Sequence, residues 1–178
     1  MSEKSETGAQ NLKSCQSHAT RHSPLAAAAP PSDQWLQLAV RALARRDRTT
    51  DQIAKLLAAK GASPAQVRTV VRRLTSLKYL DDAAFASRWA DQRLARMPMG
   101  RARLQEELLA TGCSESIVQA TLGASYRKVS EQDLAMQVVT TAGKLTSPRM
   151  LGRVARLLSQ RGFSEDTIET ALRMVNDQ

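Results

Sequence analysis

The side chains able to do chemistry are few and unevenly placed. Both histidines, His18 and His22, fall in the first 33 residues, so the rest of the chain has no imidazole for acid–base work. With Cys15 they have a spacing that could ligate a metal, but three ligands without a fourth, in a stretch with no helical stripe, do not make a structural site. The paired carboxylates Asp81-Asp82 precede Ala83 and read as helix caps that accept orphan backbone N–H groups. A general acid/base pair needs burial and a partner, and the surrounding residues supply neither. Cys113, between Gly112 and Ser114, reads as a small buried apolar residue of a turn. There is no phosphate-binding glycine loop, HExxH or GxSxG pattern. The expectation is a protein without catalysis, metal or cofactor.

Arginine is the chemistry that remains. Arg41, Arg45 and Arg48 recur at i, i+4 and i+7; Arg68 and Arg72 repeat at i+4 with Arg73 beside them; Arg93 and Arg96 form an i, i+3 pair; Arg101 and Arg103 follow the turn Met97-Pro98-Met99-Gly100. The guanidinium fork suits phosphate or carboxylate. No aromatic ladder accompanies these residues, so stacking on single-stranded bases is not the expected mode. The chain has 26 basic against 17 acidic residues, a net charge of +9. Residues 34–104 hold 15 basic and 5 acidic side chains, and residues 105–178 hold 8 and 9. An anionic partner on the first two-thirds of the body is expected, nucleic acid or a complex containing it.

The elements that must carry these arginines are helices. Of 178 residues only 3% are aromatic, 8 are Gly and 6 are Pro, which argues against a β-sandwich or barrel. No run of 18 apolar residues exists, so no membrane span is expected. Leu25–Ala29 is too short and too late for a signal peptide, and the expected location is the cytoplasm. Residues 1–33, rich in Ser, Gln and Thr and ending in Ala26–Ala29 and Pro30-Pro31, read as a disordered tail.

Beyond the tail the chain repeats itself. Gly61, Gly112 and Gly162 recur at a period of about 50 residues. Each is followed two positions later by Ser63, Ser114 or Ser164, and preceded by four by Leu57, Leu108 or Leu158. Eight before stand Ile53, Leu104 and Val154; six after, Val67, Val118 and Ile168; ten after, Val71, Leu122 and Leu172. The leading apolar positions share one helix face. The glycine suits a C′ residue of positive φ, and the serine supplies the next N-cap. An amphipathic segment precedes each pair. The spacing predicts helices over 35–47, 50–60 and 64–77; 82–96, 101–111 and 115–123; and 131–144, 148–161 and 165–176. The fold expected is all-α: three tandem three-helix repeats (34–79, 80–125 and 126–178) forming an elongated, curved solenoid-like body behind the tail. A helix-turn-helix reading of 52–72 is weakened by six residues between Ala54 and Gly61. The equivalent third helices also lack basic residues, apart from Arg173.

Tyr79-Leu80-Asp81-Asp82-Ala83-Ala84-Phe85-Ala86, then Trp89, Arg93, Gly100, Arg103-Leu104, Glu107-Leu108 and Gly112, resembles the hallmark of the RecX family, regulators of the bacterial RecA recombinase. The likeness covers roughly 35–176. Two positions depart from the family pattern: Lys78 stands where glycine is common, and Arg101 where proline is common. The resemblance implies a protein that lodges along the groove of the RecA–single-stranded DNA filament, and a monomer is the expected state. There it restrains growth, ATP hydrolysis, strand exchange and cleavage of the repressor of the SOS response. Weak non-specific DNA binding is compatible with it. The nine arginines Arg41, Arg45, Arg68, Arg72, Arg73, Arg93, Arg96, Arg101 and Arg103 are the expected contact surface. Tyr79, Leu80, Phe85 and Trp89 are expected to pack the joint between repeats, with Asp81 and Asp82 as caps and Gly100, Leu104, Leu108 and Gly112 as structural members of the motif. The alternative is a sequence-specific DNA-binding regulator.

Overall fold

The computed structural model describes residues 31–143 and 147–176. Cys15, His18 and His22 lie outside the described residues. Nine α-helices and no strand occur among them: α1 (Pro31–Arg45), α2 (Thr50–Ala59), α3 (Pro64–Ser76), α4 (Asp82–Arg96), α5 (Arg101–Ala110), α6 (Glu115–Lys128), α7 (Glu131–Ala142), α8 (Pro148–Gln160) and α9 (Glu165–Asn176). Helix starts follow the polar punctuation of the sequence. Thr49, Ser63, Asp81, Ser130 and Ser147 each accept a backbone N–H from the residue three positions on. Ser63 and Gln66 complete a reciprocal capping box. Helix ends follow the periodic glycines: Gly61, Gly112 and Gly162 have φ of 94°, 89° and 76°. The residue after each, Ala62, Cys113 or Phe163, is buried. Ala62 and Phe163 donate their N–H back to Leu57 and Leu158, the hydrogen bond and apolar contact of a Schellman end.

Two boundaries differ from the sequence expectation by more than two residues. α1 begins at Pro31 rather than 35, with proline at the first helical position, where an amide N–H has no helical partner anyway. Residues 31–33 of the segment read as a tail are thus helical; the remainder lies outside the described residues. α6 runs on past Gly123 to Lys128. Tertiary packing overrides glycine's poor helix propensity here. Ser125 and Tyr126 are buried, and the Tyr126 hydroxyl donates to the Met99 carbonyl at 2.9 Å.

Helix packing stays largely within each repeat: α1, α2 and α3 with one another, α6 with α4 and α5, and α9 with α7 and α8. Ile53, Leu57, Val70, Leu74 and Leu80 centre one core, and a second runs from Phe85 through Leu104, Leu108 and Val118 to Leu158 and Phe163. Neighbouring repeats meet end to end through their middle helices, which gives the elongated series. At the first joint the N-terminus of α2 sits on the final turn of α5. The Thr49 hydroxyl donates to the Thr111 carbonyl at 2.7 Å, Gln52 Nε2 to the same oxygen at 3.2 Å, and the Thr50 N–H to Asp82 at 2.8 Å. At the second, the N-terminus of α5 sits on the final turn of α8. The Gly100 N–H donates to the Arg161 carbonyl at 2.9 Å, and the Arg101 N–H to Glu131 at 3.1 Å.

The two joints use the same chemistry. A carboxylate from the first residue of α4 or α7 satisfies the orphan first amide of the preceding repeat's middle helix. Each positive helix N-terminus also meets a negative C-terminus. The third middle helix, α8, instead opens one turn earlier, at Pro148 behind its own N-cap Ser147.

The turn from α3 to α4 is the strained one. Lys78 has φ 62°, and it is the only non-glycine residue with positive φ among those described. Its N–H bonds to the Thr75 carbonyl and that of Tyr79 to the Leu74 carbonyl, so Lys78 fills the left-handed place of a Schellman end without being glycine. The turn sends Leu80 into the core of the first repeat and leaves Tyr79 58% exposed. The joint packing expected of Tyr79 is therefore not what the chain does, and Leu80 packs in the first repeat rather than between repeats. Lys78→Gly is expected to raise the stability by about 0.5–1 kcal/mol, the left-handed cost relieved less the entropy of a freer unfolded chain. A urea midpoint no higher than that of the parent would refute the strain.

Candidate partner-binding surface

The first repeat presents arginines with nothing to neutralise them. Arg41 and Arg45 lie one turn apart on α1, on the side away from buried Ala39, and both are exposed. Arg68 and Arg72 are exposed on α3, on the side away from buried Val70 and Leu74. None of the four has an ion-pair partner among the described residues. Arg73 is also exposed, with Asp33 of α1 at 4.0 Å. Arg96, at the end of α4, is exposed and without such a partner.

The remaining three of the nine serve the fold. Arg93 grips Glu107 with both arms of its fork, Nε at 2.6 Å and Nη2 at 3.0 Å. Arg103 reaches the same carboxylate at 3.0 Å and Glu106 at 3.6 Å. Arg101 pairs with Glu131 at 3.5 Å and lies over the Tyr126 ring, 4.8 Å from its centre. These three arginines thus spend their charge internally, tying α4 to α5 and the second repeat to the third. The Arg93 hydrogen bonds, with Arg103 behind them, hold the Glu107 carboxyl below its ordinary value of 4.5. A carboxylate lowered in the folded state contributes stability above the unfolded value and loses it as pH falls through the folded one. Glu107→Gln is accordingly expected to cost about 1–2 kcal/mol at pH 7, from charge-assisted hydrogen bonds beside a third-exposed arginine. The difference from the parent should close toward pH 3. A gap that stays constant across that range would contradict the pairing.

The hallmark stretch surrounds a groove. It is an open depression of about 470 Å³ between α1, the α3–α4 turn and α4. Val40, Leu43 and Phe85 form its apolar part, Tyr79 stands at it, and Arg48 and Arg88 bring charge. Arg88 is held by Asp47 at 2.8 Å. Arg48 differs: no ion pair holds it among the described residues, and its Nε is buried with no hydrogen-bond partner there. Asp81 caps its own helix by accepting the Ala84 N–H at 2.9 Å, whereas Asp82 caps α2 across the joint. Phe85 is buried, Trp89 packs half-buried against the same core, and Leu104 and Leu108 are fully buried. Gly100 and Gly112 are the points of close approach at the two joints: a Cβ at Gly112 would lie 2.6 Å from that of Asp51, and one at Gly100 would overlap the Gly162 carbonyl. Cys113 is buried, and burial pushes its thiol above the ordinary range, away from thiolate chemistry.

Several residues that matter were not singled out from sequence. Thr49 and Gln52 make the first joint, and Tyr126 secures the Met97–Gly100 turn. Arg149, Arg153 and Arg156 form a second exposed basic row, on α8. Summing charge over residues 105–178 concealed that row, because α7 and α9 carry most of the acid; charge counted helix by helix reveals it.

Comparison with known proteins agrees with the repeat architecture. Residues 81–122 match the family described as RecX, second three-helix domain. The chain is 33% identical over 138 residues to the regulatory protein RecX of Mycobacterium ulcerans (strain Agy99), covering 75% of this chain and 79% of that protein. It is 28% identical over 151 residues to the regulatory protein RecX of Thermobifida fusca (strain YX), covering 81% of each. The fold is similar to the crystal structure of RecX from Lactobacillus salivarius, with a TM-score of 0.73 at 18% identity over 83% of this chain and 97% of that one. No helix among the described residues is long and apolar enough to cross a membrane.

Proposed function

The chain belongs to the RecX family, and from that premise we propose that it is a non-enzymatic negative modulator of RecA recombinase. On this reading it binds the RecA–single-stranded DNA filament along its groove, in the cytoplasm and as a monomer. There it inhibits filament growth, ATP hydrolysis, strand exchange and coprotease activity, and so restrains DNA repair by recombination and the SOS response. The observation that supports this best is the division of the arginines. Arg41, Arg45, Arg68 and Arg72 are exposed without carboxylate partners, while Arg93, Arg101 and Arg103 of the middle repeat are neutralised within the fold. Beside them the groove offers Tyr79 and the unpaired Arg48 to an apolar, acidic or phosphate-bearing surface. Hydrogen-bonded joints space the repeats, and a spaced set of weak contacts on a repeating filament sums through avidity.

The test is the single-stranded-DNA-dependent ATPase of RecA with DNA in excess and this protein far below one per recombinase subunit. Progressive loss of ATPase is expected, and Arg41→Gln/Arg45→Gln/Arg68→Gln/Arg72→Gln should need about tenfold more protein for the same loss, roughly 1.4 kcal/mol. No inhibition by the parent protein at equal concentration would overturn the reading and favour a DNA-binding regulator.

A further inference from the structure

The third repeat carries a basic surface of different origin. α8 has Arg149, Arg153 and Arg156 and no acidic residue. At i, i+4 and i+7 the three lie on one face, opposite buried Val154 and Leu158, and all are exposed. The repeat shows why they stand unpaired. Arg153 and Arg103 both lie nine residues before their periodic glycine. In α5, Glu106 and Glu107 follow and claim Arg103. In α8 the two equivalent positions are Arg156 and Leu157, so the same arginine loses its carboxylates and gains a second positive charge. No carboxylate among the described residues lies within ion-pair distance of the row; Glu169 of α9 is taken by Arg173. Gly152, Ser159 and Gln160 share the exposed side, leaving it small, polar and without acid. The row extends about 10 Å along the helix, and no aromatic residue belongs to it.

We propose that the α8 row binds the phosphodiester backbone of DNA, without reading base sequence. Guanidinium forks engage phosphate oxygens bidentately, and three aligned positive charges with no internal counter-ion match a polymer of evenly spaced negative ones. With no aromatic side chain in the row to stack on bases, backbone contact is the mode. The protein thereby has two separate basic regions, on its first and third repeats; between them Arg93, Arg101 and Arg103 of the second repeat are paired within the fold. DNA binding by α8 needs no recombinase, so it stands or falls apart from the filament reading.

Anisotropy of a fluorescein-labelled 30-nucleotide oligo(dT), titrated with the full chain between 50 and 200 mM NaCl, tests it. Arg149→Gln/Arg153→Gln/Arg156→Gln is expected to weaken binding at 50 mM by at least about tenfold. It should also flatten the plot of log affinity against log salt by about 2, at about 0.7 per lost phosphate contact on a single strand. The corresponding triple lysine variant should keep most of the slope, and both variants should melt with the parent because the side chains are exposed. An unchanged slope in the glutamine variant overturns the proposal, as does equal loss in the lysine variant. A glutamine variant that binds oligo(dT) normally yet fails to inhibit the recombinase ATPase also overturns it, by assigning the row to protein.

Discussion

Gly100→Ala is expected to destabilise the protein by about 3 kcal/mol, although the substitution normally helps. Gly100 has φ −82° and ψ 169°, extended backbone that alanine adopts freely. Its effect on the unfolded chain alone would therefore stabilise by about 0.4–1 kcal/mol. The sign reverses because the added Cβ would overlap the Gly162 carbonyl and lie 2.4 Å or less from neighbouring backbone atoms of the α8 turn. Backbone cannot swing aside as the end of a side chain can. The turn must retreat, stretching the Gly100 N–H to Arg161 carbonyl bond of 2.9 Å and opening the second joint; overpacking of this kind costs about 1–3 kcal/mol or more. Urea unfolding with amide exchange reads the loss, which should fall first on α7–α9. Gly61→Ala is the internal comparison. Gly61 has φ 94° and no atom within 4 Å of its added Cβ, so it should lose only the left-handed strain, about 1–2 kcal/mol. A stabilised Gly100→Ala protein would refute the joint geometry.

Phe85→Ala is expected to cost about 3 kcal/mol, at the low end for a buried phenylalanine. The ring is 8% exposed and belongs to the core shared by the second and third repeats, and it also lines the groove against α1. Its removal empties a site that opens onto that groove, so water can enter and the cavity penalty is partial. Phe85→Leu should recover about half the loss, because most of the apolar area returns. An unchanged melting midpoint in Phe85→Ala would show that the ring does not hold this core.

Local signals made much of the fold legible. The period of the glycines, the serine two residues on and the apolar pairs on either side encode helix end, helix start and buried face. Each is decided within one turn of helix. That is why α2, α3 and α5 sit within about one residue of where their caps place them. α6 escaped because Gly123 is a poor helix former locally, and the hydrogen bond from Tyr126 to Met99 spans 27 residues. The offset directly after each glycine was legible only at Cys113: Ala62 and Phe163 take the same buried position, but the three apolar side chains differ so much in size that the shared place is set by the packing of each turn.

The candidate surface divides along the same line. The sequence by itself determined that arginine is the available chemistry, that it is concentrated before residue 105, and that nine helices in three repeats carry it. Those are properties of composition and of contacts a few residues apart. Only the tertiary structure decided which arginines face outward unpaired. Arg93 is fourteen residues from Glu107, and Arg101 thirty from Glu131; an ion pair at such separation exists only once helices are packed and joints closed. The same holds for Asp82, which looks like a cap for its own helix and instead caps α2 across the joint. Charge is written in the chain, but its neutralisation depends on distances in three dimensions.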